Sequence, residues 1–218
     1  MPDVLTAIEV DLQWLGAIAG LSTLAYAILN MILAHSRPAS RHTGAARRIL
    51  RTRYLVIATL LFMAIIIILW RPLPVQIPLI PRMMVSLFGA ALYFASLGLY
   101  IWGLWSLGKN FNASSGFGVR LQQAHALITQ GPYAYIRHPM YLAVILACWG
   151  GLLLYRTWSM LICAILMFGL IVRAHKEEQA LAGAFGNQWE SYRRNVPGWF
   201  PIIRAIARKD NNNHQHRR

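Results

Sequence analysis

Five uncharged, mostly apolar runs divide the chain: Leu12–Ala34, Tyr54–Trp70, Met83–Leu107, Met140–Tyr155 and Thr157–Val172. A helix needs about 20 residues to cross a hydrocarbon core, and the first three runs have that reach or nearly so. The last two hold sixteen residues each and are separated only by Arg156. One long helix over 140–172 would strand Arg156 in mid-membrane, whereas a helical hairpin turning at Arg156-Thr157 lets it snorkel to the outer interface. The pattern therefore predicts an all-α integral membrane protein of about five transmembrane segments, the last two forming a hairpin.

The stretches between the runs differ in kind. Arg71-Pro-Leu-Pro-Val-Gln-Ile-Pro-Leu-Ile-Pro81 holds four prolines and predicts an extended connector. Beyond Val172 the helical pattern continues without a break, and Leu181, Phe185, Trp189 and Tyr192 share one stripe. That spacing predicts a cytosolic C-terminal amphipathic helix lying on the inner interface or over a neighbouring loop. Residues 210–218 offer nothing apolar to bury and predict a disordered tail, so 1–209 reads as one membrane-embedded domain.

Composition strengthens the membrane reading. Of the 218 residues, 57% are hydrophobic and 13% charged, against about 45–50% and about 25% in soluble domains. Net charge is +14, which on its own invites a nucleic-acid partner, but the placement of the charges argues for no nucleic acid. Eighteen of the 21 Lys and Arg residues lie in segments 35–53, 108–139 and 173–218, while the N-terminal leader carries only Asp3, Glu9 and Asp11. This is a positive-inside asymmetry, with the N-terminus outside and the C-terminus in the cytosol. An acidic leader is no signal peptide, so the first helix is expected to persist. Cys148 and Cys163 sit inside apolar runs without ligand spacing, which predicts small buried hydrophobes and no metal site.

Candidate chemistry collects on the basic side. Segment 107–141 is irregular, rich in glycine and aromatics, and longer than a passive connector requires. Pro139 suits the first turn of a helix, and such a start leaves free N–H groups beside Arg137, His138 and Tyr141, a favourable place for an anion. Two readings of Arg137 and His138 stay open on these grounds: a ligand site, or a headgroup anchor. Arg173 and Glu177 are four apart on one helix face, and Arg173 directly follows an uncharged run, where an ionisable group is expensive unless partnered or working.

Gly131-Pro-Tyr133, Arg137-His138-Pro139-Met140-Tyr141, Arg173-x-x-x-Glu177-Glu178, Phe185-Gly186 and Tyr192 before Val196-Pro197 follow one another in order. Together they resemble the isoprenylcysteine carboxyl methyltransferase family and its prokaryotic relatives, over roughly Leu107–Pro201. The resemblance implies an S-adenosylmethionine-dependent enzyme of a bacterial or archaeal plasma membrane that methylates the carboxylate of a lipophilic acceptor. It implies a cofactor site built from His125, Ala126, Leu127, Ile128, Tyr133, His138, Pro139, Met140, Tyr141 and Glu177. It also implies a catalytic pair, Arg173 toward the acceptor and Glu177 between the two ligands. Were the acceptor an amine, a base would be needed, and His125, His138 or Glu178 would be the candidates. Two other classes remain open: membrane sterol and lipid reductases share a similar Gly-Pro-Tyr and Arg-His-Pro pattern while binding NADPH, and a non-catalytic lipid-binding protein would keep the scaffold alone.

The charge pattern makes a topological prediction. A reporter active only outside the cytosol works when fused after Asp3 or within Leu73–Ile80, and is silent within Ala39–Arg47 or after Asp210. A silent fusion within Leu73–Ile80 would overturn the orientation.

Overall fold

The computed structural model describes residues 2–35, 57, 60–62, 64–108 and 127–201. Every regular element among these residues is helical: α1 (Pro2–His35), α2 (Leu79–Leu107), a single 3₁₀ turn (Gly131–Ala134), α3 (Pro139–Tyr155), α4 (Trp158–Leu166), α5 (Gly169–Phe185) and α6 (Asn187–Asn195). Among the described residues three stretches are long and apolar enough to cross a membrane, Asp3–Asn30, Leu79–Leu107 and Trp158–Phe185, and Pro139–Tyr155 is a shorter apolar helix. Of the expected second run, Ile57, Leu60–Phe62 and residues 64–68 are helical. Most large side chains on these stretches face outward, among them Trp14, Leu21, Phe88, Trp105 and Val172. Such an apolar exterior suits a protein whose solvent is lipid.

α2 and α3 make the most extensive helix pair. Glycines let them touch: a Cβ on Gly150 of α3 would lie 2.7 Å from the Tyr93 backbone nitrogen of α2. A Cβ on Gly89 would lie 2.7 Å from the Leu153 Cβ and 2.9 Å from the Gly150 carbonyl. Small residues at such crossings let backbones approach where no hydrophobic drive separates lipid from side chain. At the end of the pair where α3 begins, Gly103 faces the Met140 side chain.

The hairpin turns where the sequence places it. α3 is capped by Arg156 in the left-handed region at φ 50°, and Thr157 caps α4 by accepting from the Met160 amide. A non-glycine residue in that region is strained, and the surroundings hold it. The Leu73 amide donates to the Arg156 carbonyl at 2.7 Å, and the Trp158 amide donates to the Arg71 carbonyl at 3.0 Å. The proline-rich segment is thus more than a connector, since it seals the backbone of the turn.

Arg156 does not snorkel outward. Its guanidinium donates to Glu9 of α1 and, at 2.7 Å, to the Ser86 hydroxyl of α2. Ser86 in turn donates to Glu9 at 2.7 Å, and the second Glu9 oxygen lies 2.9 Å from Arg82 Nε. Glu9 is buried, so the acidic leader is part of α1, which begins ten residues before the expected Leu12. A buried carboxylate needs charged partners, and the helix extends to bring Glu9 to them.

Two further expectations are corrected. The helix after Arg156 is interrupted at Met167-Phe168, where Phe168, Leu170 and Ile171 donate three residues back instead of four. This tighter 3₁₀ geometry falls just before Gly169, a weak helix former. The stripe Leu181-Phe185-Trp189-Tyr192 does not lie on one helix, because Gly186 at φ 49° ends α5 and starts α6. Residues 202–218, including the tail expected to be disordered, lie outside the described residues.

Removing the Glu9 carboxylate leaves Arg82 and Arg156 facing each other with no counter-charge, a change that costs up to about 3–5 kcal/mol for a buried pair. Part of that is screened here because the Arg82 side chain is 33% exposed. Glu9→Ala is expected to lower the melting temperature in detergent by several degrees or more, and Arg156→Gly in that background to restore part of the loss. An unchanged melting temperature in Glu9→Ala would show that the cluster contributes nothing net.

Candidate functional site

At the opposite end of α3 the chain enters through Gly131-Pro-Tyr-Ala134, a 3₁₀ turn seated on α2. Gly131 has φ 61°, and a Cβ there would lie 2.1 Å from the Ser106 hydroxyl oxygen, so glycine is required both for the backbone and for the space. Tyr192 of α6 donates to the Tyr133 carbonyl at 2.7 Å, tying α6 to this turn. Burial, with Glu177 nearby, pushes the Tyr133 phenol far above its ordinary range, and burial does the same to Tyr192. Both rings therefore stay neutral.

α3 begins at Pro139, as the sequence predicts, with His138 at the cap. The proline nitrogen has no N–H to leave unpaired, and the amides of Met140 and Tyr141 lie in the first turn, where no helical carbonyl reaches them. The segment after α6 closes over this start: the Arg137 amide donates to the Pro197 carbonyl at 2.9 Å and the His138 amide to the Gly198 carbonyl at 3.1 Å. Trp199 then packs on the His138 ring at 5.4 Å between centroids, and Tyr141 lies nearly parallel to it at 5.8 Å.

α5 brings its charged turn to the same place. The Tyr141 hydroxyl donates to Glu177 Oε2 at 2.8 Å and accepts from Arg173 Nε at 2.9 Å. The expected neighbours Arg173 and Glu177 are thus linked through a tyrosine of another helix, with the guanidinium 5.9 Å from the centre of that ring. Glu178, one residue on and about 100° around the helix, points elsewhere, to His138 Nε2 at 2.8 Å and Arg137 Nη1 at 2.9 Å. The Arg137 contact is an ion pair too bent for a hydrogen bond, and Arg137 Nε is buried without an acceptor. The guanidinium also lies 5.8 Å from the centre of the Trp189 ring.

The structure thus gathers Tyr133, His138, Pro139, Tyr141, Arg173 and Glu177 around the start of α3, while Met140 packs toward Gly103 of α2. Leu127 and Ile128 are half-buried in extended chain leading to Gln130, and His125 and Ala126 lie outside the described residues. Arg137, Glu178 and Trp199 belong to the cluster as well. The sequence left Arg137 open between a ligand site and a headgroup anchor and offered Glu178 as a possible base, but their mutual contacts and that of Trp199 join segments 40 to 61 positions apart. Chemically the cluster offers carboxylate acceptors, a guanidinium, neutral phenols, aromatic faces and free helix N–H groups.

Residues 84–188 match the family described as phospholipid methyltransferase. Among curated proteins, the Protein-S-isoprenylcysteine O-methyltransferase of Schizosaccharomyces pombe is 30% identical over 120 residues, which are 52% of this chain and 49% of that protein. The chain thus matches about half the length of this relative. A solved structure of a eukaryotic intramembrane Ras methyltransferase, isoprenylcysteine carboxyl methyltransferase, is 24% identical over 55% of this chain and 43% of its own, with a TM-score of 0.47. The family match and the curated relative agree with the resemblance carried by the motifs: over about half of its length this chain is similar to a Protein-S-isoprenylcysteine O-methyltransferase.

Proposed function

We propose that the protein is an integral membrane methyltransferase that uses S-adenosylmethionine to methylate the carboxylate of a lipophilic acceptor of the isoprenylcysteine type. The observation that carries this reading is the chain Arg173, Tyr141, Glu177, which links two helices by hydrogen bonds at 2.9 and 2.8 Å beside the free N–H groups that open α3. The name of the fission yeast relative supports methyl transfer over an NADPH-dependent reductase or a non-catalytic lipid carrier.

The residues present fit such a cofactor. Glu177 is an acceptor for ammonium or ribose hydroxyl groups, and the Met140 and Tyr141 amides suit a carboxylate. The rings of Tyr133 and Trp199 suit a nucleoside, and Leu127, Ile128 and His125 precede them in the chain. When bound, S-adenosylmethionine supplies an activated methyl group on a sulfonium. Arg173 receives the acceptor: a guanidinium pairs with a planar carboxylate by two parallel hydrogen bonds and so aims an oxygen at the methyl carbon. A carboxylate is already ionised, so displacement at that carbon gives an ester and a thioether and needs no general base. Position and exclusion of water are what the chain must provide. Tyr141 couples the orientation of Arg173 to that of Glu177. An amine acceptor would require a base, and with Glu178 engaged by Arg137 and His138 that role would fall to His138 or His125.

In this reading the chain crosses the membrane five times, with its N-terminus outside and its C-terminus in the cytosol of a bacterial or archaeal cell. α6 lies on the inner interface, soluble cofactor arrives from the cytosol, and the acceptor arrives from the bilayer.

S-adenosylhomocysteine is expected to raise the melting temperature of the purified protein, because a ligand of the folded state stabilises it by mass action. His138→Ala should shrink that rise, and an undiminished rise would return His138 to a headgroup anchor.

Arg173→Lys should keep S-adenosylhomocysteine binding while turnover of a prenylcysteine analogue falls about 10²-fold, the scale of a misplaced reacting group. Glu177→Gln should weaken both. Wild-type turnover by Arg173→Lys on a carboxylate acceptor would refute the role given to the guanidinium.

A further inference from the structure

Glu177 and Glu178 are adjacent in sequence but serve different partners. Glu178 Oε1 lies 2.8 Å from His138 Nε2 and 2.9 Å from Arg137 Nη1. The bent Arg137 contact supplies counter-charge and leaves the hydrogen bond of this oxygen to the histidine. An ionised carboxylate only accepts, so Nε2 must carry the proton. The His138 ring is buried, lies parallel to Tyr141 at 11° between planes, and is covered by Trp199. Its backbone amide is held by the Gly198 carbonyl at 3.1 Å. A ring confined in this way has few orientations, and the partner of one nitrogen sets what the other can do.

We infer that Glu178 is a positioning residue that locks His138 in its Nε2–H tautomer, so that in the neutral ring Nδ1 is a hydrogen-bond acceptor for a hydroxyl or ammonium group of the bound methyl donor. Arg137 supports it by holding the Glu178 carboxylate in place through their ion pair, itself steadied against Trp189. This inference rests on the proposed function only for the identity of the ligand. The tautomer is a property of the protein alone.

The test uses full-length protein labelled with ¹⁵N at histidine, the His138 signals being assigned by their loss in His138→Ala. Wild type should show a pyrrole-type Nε2 and a pyridine-type Nδ1 in the neutral ring. Glu178→Gln retains an acceptor oxygen and should keep this signature, with near-normal S-adenosylhomocysteine affinity but a lower melting temperature because Arg137 loses its counter-ion. Glu178→Ala should lose the signature, and its affinity should fall about tenfold, the scale of one lost hydrogen bond. A pyrrole-type Nδ1 in wild type overturns the inference without need of any variant. So does a Glu178→Ala protein that loses the signature while binding as tightly as wild type. If wild type shows the expected tautomer but no S-adenosylhomocysteine binding at all, the cofactor reading fails and the tautomer lock stands.

Discussion

Where Gly150 of α3 meets Gly89 and Tyr93 of α2, no side chain separates the two backbones. Everything distinctive about the molecule hangs from this contact, because α3 carries a polar cluster at each end and α2 supplies the wall against which both are assembled. In a bilayer, apolar side chains gain nothing by leaving lipid for one another, so close van der Waals fit and hydrogen bonding must hold helices together. Glycines on both helices give that fit, and the position of α3 along α2 follows from it.

The two polar clusters answer one constraint in different ways. A charge carried into apolar surroundings must meet a partner or be put to use. At the Arg156 end, Glu9, Ser86, Arg82 and Arg156 draw on α1, α2 and the hairpin turn and are tied together by hydrogen bonds and ion pairs, Arg82 Nε being held to Glu9 by charge alone. That arrangement anchors α1 and holds a left-handed arginine at the turn. At the His138 end the groups are also linked, yet the first-turn amides of α3 have no helical carbonyl to meet, and the rings of Tyr133 and Trp199 add aromatic faces. Among the described residues the first end is tied up in ion pairs, and the second, the open end, keeps first-turn amides without a helical carbonyl.

The family match over residues 84–188 coincides with the elements that build the open end. It takes in α2, the Gly-Pro-Tyr turn, α3 and the charged turn of α5. It leaves out Glu9, which ties α1 to the bundle, and Val196–Trp199, which covers His138. The matched part thus holds Tyr141, Arg173 and Glu177, and the segments outside it add Glu9 at one end of α3 and the cover over His138 at the other.

Much of this was legible along the sequence because it depends on local patterns. Apolar runs mark helices, Pro139 marks the start of α3, an isolated arginine marks the hairpin turn, and Gly131 with Pro132 marks irregular chain before α3. The spacing of Arg173 and Glu177 put both on one helix face, and the motifs around His138 fall where α3, α5 and the segment after α6 meet. What the sequence by itself could not decide is which polar group meets which. Glu9 looked like part of a solvated leader and Arg156 like a snorkelling side chain, because each is isolated in its own segment and their pairing joins positions 147 apart. The breaks at Met167-Phe168 and Gly186 likewise escaped the periodicity, which continues in phase across both. Glu177 and Glu178 are chemically identical neighbours on the chain, and only the packing of α5 against α3 separates them. A turn of about 100° per residue sends one carboxylate to Tyr141 and Arg173 and the next to His138 and Arg137.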